Sequence, residues 1–79
     1  MTIRVQYFSR LRELNGPLAL ELPDRATVGD ALMQLESRLP LLSDWNGKLL
    51  LAVGLEFARR DQVLLENDLL SLMPPVQGG

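Results

Sequence analysis

Only one stretch of this 79-residue chain carries the period of an α-helix. Val28, Leu32, Leu35 and Leu39 recur at steps of four, three and four, and Ala31 widens the same face. Thr27 stands where it can cap the N–H groups of the first turn. Asp30 occupies the position of a reciprocal capping partner and favours the positive end of the helix. Pro40 marks the stop. The pattern predicts a helix over Thr27–Leu39, with no chemistry of its own beyond core packing. The remaining apolar segments are short and read as strands. One helix among several strands implies an α+β fold, a sheet wrapped around one main helix.

The strands follow from period-two alternation. Ile3, Val5 and Tyr7 alternate with Arg4 and Gln6, which predicts a half-buried first strand. Phe8 falls on the polar side of that alternation, so it is either an edge of the core or a contact surface. Ser9 to Leu14 reads as a short helix with Ser9 as its N-cap, ended by Asn15-Gly16-Pro17. Leu18, Leu20 and Leu22 give a second strand. Leu41 to Gly47 is expected to be a loop in which Trp45 covers one end of the core. Lys48 to Val53 is apolar without alternation, as in a strand covered on both faces. Gly54 permits a turn with positive φ, and Leu55 to Arg60 reads as a short edge strand. Val63 and Leu64 or Leu65 return to the core. Asn67 tolerates the left-handed conformation in the turn at 66–68. Leu69 to Met73 is the last strand, closed by two prolines that cannot donate to a ladder. Residues 1–73 are thus expected to form one domain, with 74–79 as a flexible tail.

Composition excludes several classes of function. The chain has no Cys and no His, so it lacks disulfides, thiol nucleophiles, imidazole bases and the usual zinc ligands. A net charge of −2 disfavours a nucleic-acid binder. The N-terminus lacks the apolar run of a signal peptide, and Leu49 to Val53 is far too short for a membrane span. A cytoplasmic protein is expected. The ten carboxylates form no recognisable acid–base pair, and no glycine-rich phosphate loop or metal-ligand cluster occurs.

What remains is the end of the chain, Pro74-Pro75-Val76-Gln77-Gly78-Gly79. A terminal Gly-Gly arises by chance in about 0.5% of chains at average glycine usage, and a frayed end is its ordinary meaning. Here a strand runs straight into two prolines, which stiffen the exit of a slim tip without side chains. That shape suits threading a narrow channel, because glycine allows close backbone approach. The terminal carboxylate is a poor acyl donor until activated. Once activated, for instance as an acyl-adenylate, it can accept sulfide or an amine; in such a scheme the small protein is substrate and carrier, and the partner is the catalyst.

Tyr7-Phe8 followed by Leu11-Arg12-Glu13-Leu14, the Ala26-Thr27-Val28 helix start, Lys48-Leu49-Leu50 with Ala52-Val53, and the Pro-Pro-Val-Gln-Gly-Gly end together resemble the small subunit of molybdopterin synthase. That family belongs to the ubiquitin-like β-grasp sulfur carriers, and the resemblance spans essentially the whole chain. It implies a mixed sheet grasping one helix. It also implies that an ATP-dependent, E1-like enzyme adenylates the Gly79 carboxylate, and that a persulfide source converts it to a thiocarboxylate. The charged carrier then docks in the large synthase subunit, in a heterotetramer, and donates sulfur to cyclic pyranopterin monophosphate. Two such transfers build the dithiolene. No cofactor is bound by the chain itself, and ATP belongs to the activating partner. By residue match, Phe8, Arg12, Phe57 and Met73 fall where the family contacts its partners, although Phe57 and Met73 read equally as ordinary core. Gly54 replaces a common Asn and Asn67 a common Gly, which preserves positive-φ residues at both turns. Met73 stands where an aromatic is frequent and fills such a pocket adaptably.

Two alternatives share the same tail chemistry. One is a β-grasp sulfur carrier for thiamine, cysteine or tRNA thiolation. The other is a ubiquitin-like modifier whose activated carboxylate meets a lysine.

Overall fold

The computed structural model describes residues 1–45 and 47–75. Five strands form one sheet: β1 (Thr2–Tyr7), β2 (Ala19–Glu21), β3 (Leu50–Val53), β4 (Glu56–Phe57) and β5 (Leu69–Met73). Their order across the sheet is β2-β1-β5-β3-β4. The first and last strands of the chain lie side by side and parallel, with Tyr7 opposite Leu72. All other pairs are antiparallel. The α-helix α1 (Val28–Arg38), the one α-helix among the described residues, links the two halves of the chain. This is the mixed sheet around one helix expected for a β-grasp.

The helix begins as its sequence requires. Thr27 Oγ1 accepts from the Asp30 N–H at 3.2 Å, and Asp30 Oδ2 accepts from the Thr27 N–H at 2.9 Å. Both orphan donors are thereby satisfied. Thr27 and Leu39 are the capping residues and not the first and last helical ones. Val28, Ala31, Leu32 and Leu35 are buried, while Leu39 packs at the edge of the core. They join Ile3, Val5, Leu20, Leu51, Leu70 and Leu72 in one cluster between helix and sheet. Burying each large aliphatic side chain contributes roughly 1.5–3 kcal/mol relative to exposure.

Tyr7 closes one end of this core. Its hydroxyl donates to the Pro17 carbonyl at 2.7 Å, and burial pushes the phenol up to about 12, offset in part by the Arg38 cation. Gly16 lies against the ring so closely that a Cβ there would collide with the Tyr7 hydroxyl. The β3–β4 connection is a two-residue turn, Gly54-Leu55, with Gly54 at φ +62°, as tight hairpins demand. Asn67 adopts φ +67° in its turn.

Several local expectations are corrected. Ser9 is not an N-cap: Phe8 holds that position and no side chain caps the turn. The Phe8 N–H donates to Leu72 O at 3.0 Å, so pairing with β5 extends one residue beyond β1. The chain must then turn abruptly, and Ser9 takes φ +55° to do so. The segment Ser9–Leu14 is a 3₁₀ helix. Pro40 ends α1 but also opens a second 3₁₀ helix, Pro40–Trp45, where a loop was expected. Proline's missing N–H is no loss at a first helical position. Leu22 lies outside β2 yet is buried, its N–H donating to Met1 O. The strand expected over Lys48–Val53 begins at Leu50, and the edge strand shrinks to Glu56–Phe57. Leu64 enters the core, whereas Val63 and Leu65 are exposed.

Candidate functional site

The helix covers one face of the sheet. The register places a different set of side chains on the other. Ala52 lies opposite Ser71 across β3 and β5, Phe57 lies opposite Ala52, and Gln6 lies opposite Ser71. Because alternate residues share a face, Phe8 on the β1 side and Met73 on β5 stand one rung further along. The outcome is a groove of ≈ 250 Å³ lined by Phe8, Ala52, Gly54, Leu55, Phe57, Ser71 and Met73. Ala52 and Ser71 are small and buried and form its floor. The Ser71 hydroxyl donates to Gln6 Oε1 at 3.4 Å, so no buried side-chain donor or acceptor of the described residues is left without a partner.

The walls of the groove are aromatic or aliphatic and open to solvent. Phe57 is 76% exposed and Phe8 40%. Neither is ordinary core, and Met73 is half-buried. Leu55, at the tip of the β3–β4 turn, is fully exposed. Large apolar side chains gathered around one groove mark an interaction surface. Three of the four expected partner-contacting residues therefore come together. Arg12 does not share their groove. It lines a neighbouring concavity of ≈ 380 Å³ with Gln6, Asn15 and Leu18, and Gln6 lies between the two.

The root of the tail is at the rim of the same face. Leu72 is fully buried, Met73 lines the groove, and Pro74 and Pro75 follow half-buried. On the other side the two prolines meet Ser9, Arg10 and Trp45 around a notch of ≈ 250 Å³. Val76, Gln77, Gly78 and Gly79, the expected reactive end, lie outside the described residues.

Leu55, Ala52 and Ser71 are groove residues that sequence reasoning missed. Leu55 carried a signal, an apolar residue directly after the turn glycine, at the tip of a hairpin that projects from the core. Ala52 and Ser71 carried none, because their roles depend on which strands are neighbours. Among the described residues, no group of three or more His, Cys, Asp or Glu side chains could hold a metal ion. No helix among them is long and apolar enough to cross a membrane.

The comparisons with known proteins agree on the family. The chain is 32% identical to the molybdopterin synthase sulfur carrier subunit of Arabidopsis thaliana over 98% of its length and 82% of that protein. It is 35% identical to the protein of the same name from Escherichia coli, covering 98% of this chain and 99% of that one. Among solved structures, SAMP1 of Haloferax volcanii, a small archaeal modifier protein, superposes with a TM-score of 0.84 at 27% identity and covers both chains completely. The ThiS family profile matches residues 5–79. With a β-grasp sheet, an apolar groove at the end of β5 and this match over nearly its whole length, the chain belongs to the ThiS family.

Proposed function

We propose that this protein is the sulfur carrier subunit of a molybdopterin synthase, and that its reactive atom is the C-terminal carboxylate of Gly79. The observation that carries the reading is the likeness to named sulfur carrier subunits along the whole chain. The geometry supports it: the strand leading to the tail ends beside an exposed apolar groove, so a partner seated on the groove has the tail within reach.

The steps follow from carboxylate chemistry. An E1-like partner joins the carboxylate to the α-phosphate of ATP and releases pyrophosphate. The terminal sulfur of a persulfide attacks the acyl carbon and expels AMP, and a second thiol then reduces the resulting acyl disulfide, leaving a thiocarboxylate and a disulfide on the sulfur donor. The large synthase subunit then takes the tail, with Phe8, Phe57 and Met73 against its surface and Arg12 at the border of the contact. The thiocarboxylate sulfur displaces an oxygen substituent of cyclic pyranopterin monophosphate, forming a thioester between substrate and tail, and water cleaves the acyl C–S bond, leaving the sulfur on the substrate and restoring the Gly79 carboxylate. In this reading the partners supply the catalytic groups. The part of this chain is to present the tail: Pro74 and Pro75 carry the chain off β5, Val76 and Gln77 follow, and Gly78 and Gly79 end it without side chains.

Intact mass tests the reading. After incubation with ATP, an activating enzyme and a sulfur donor, the wild-type chain should gain the mass of one oxygen exchanged for sulfur. A chain lacking Gly79, or extended by one residue, should not. Full synthase activity of either variant overturns the reading.

A second reading has its own support. The likeness to small archaeal modifier protein 1 fits an activated tail that meets a lysine amine and expels AMP to form an isopeptide. Adducts through Gly79 in cells lacking synthase activity would favour it.

A further inference from the structure

The notch on the far side of the tail root is not absorbed by the apolar groove. Its lining is Ser9, Arg10, Trp45, Pro74 and Pro75. Trp45 is half-buried, packs against the core, and is tied down where its carbonyl accepts from the Lys48 N–H at 2.8 Å. Two prolines, a tryptophan and an arginine thus line one notch. Arg10 is exposed and has no ion-pair partner among the described residues. Asp44, next to Trp45 on the second 3₁₀ helix, makes no ion pair with it in that set. Ser9, with its left-handed backbone, turns the chain so that Arg10 follows directly after the Phe8 side of the groove. The tail root therefore has an apolar groove on one side and a cationic, ring-walled notch on the other.

We infer that this notch receives a carboxylate side chain, Asp or Glu, from the partner that takes up the tail, and so helps determine which partner docks. A partner that encloses the tail must close around its root, which brings its surface to both sides of Pro74-Pro75. Arg10 offers a planar donor pair suited to a carboxylate. Trp45 and the prolines give the partner apolar walls to close against, so that the contact is covered only in the complex and then differs from an exposed surface ion pair. This inference rests on the sulfur-carrier reading.

The test is binding kinetics between the full chain and the large synthase subunit. Arg10→Ala should raise the dissociation rate roughly tenfold, since removing one partner of a charge pair covered in the complex acts on dissociation. Arg10→Lys should restore part of it. Arg25→Ala, which removes the same charge on the turn before α1, should alter only the association rate and its salt dependence. Thermal melting of each variant should match wild type, because Arg10 and Arg25 are exposed. A wild-type dissociation rate for Arg10→Ala in a complex that otherwise forms overturns the notch alone. Failure of the wild-type chain to bind the large subunit overturns both the notch and the reading beneath it.

Discussion

Replacing Phe57 by Ala separates docking from folding. The side chain sits on the short edge strand β4 and is 76% exposed. An aromatic side chain buries about 150–250 Å² when fully covered, so roughly three quarters of that area remains for a partner to cover. At about 25 cal/mol per Å², the docking contribution is at most roughly 3–5 kcal/mol. Truncations at a well-covered aromatic anchor typically cost ~2 kcal/mol or more, which corresponds to about a thirtyfold loss of affinity. The quarter already buried in the free chain limits the folding cost to ~1 kcal/mol, a melting shift of roughly 4–8 °C for a domain of this size. Titration calorimetry against the large synthase subunit, with thermal melts of the free chain, measures both. Unchanged affinity would refute docking through the groove. A folding loss of several kcal/mol would show that Phe57 belongs to the core after all.

Thr27→Ala removes the acceptor for the Asp30 N–H and should cost about 0.5–2 kcal/mol in urea unfolding, with the groove and its affinity intact. Thr27→Ser should recover most of the loss. The single tyrosine makes the alkaline limb assignable. With its folded pKa raised to about 12 from 10.0, Tyr7 contributes stability that is complete below pH 10 and is lost as pH rises towards 12. Ultraviolet titration of the phenol should show this late ionisation, and Tyr7→Phe should remove that part of the pH slope. An ordinary phenol titration in the folded chain would refute the buried, hydrogen-bonded placement.

Sequence periodicity was strongest where burial depends on local spacing. The α1 face, its capping box, the turns at Gly54 and Asn67 and the order of strands and main helix are all determined within a few residues. The exit of the tail from the last strand was legible for the same reason, because proline acts on its own backbone. The parallel pairing of β1 with β5 was not legible, since it joins residues some 65 positions apart, as Gln6 and Ser71 show. From that pairing came the extension to Phe8, the left-handed turn at Ser9 and the 3₁₀ helix after it.

The candidate site divides along the same line. The oddity of Phe8 on a polar strand face was visible in the alternation itself. Whether Phe57 and Met73 were core or surface was not, because both readings satisfy local period two. Only the sheet order decided it, by placing β5 between β1 and β3 and turning Ala52, Ser71, Phe57 and Met73 away from the helix. The same order put Arg12 in its own concavity and left Arg10 and Trp45 at the tail root. The sequence by itself determined which residues are apolar and where the chain bends. Tertiary structure decided which of those residues meet, because contact between distant segments is a property of strand pairing and not of any window along the chain.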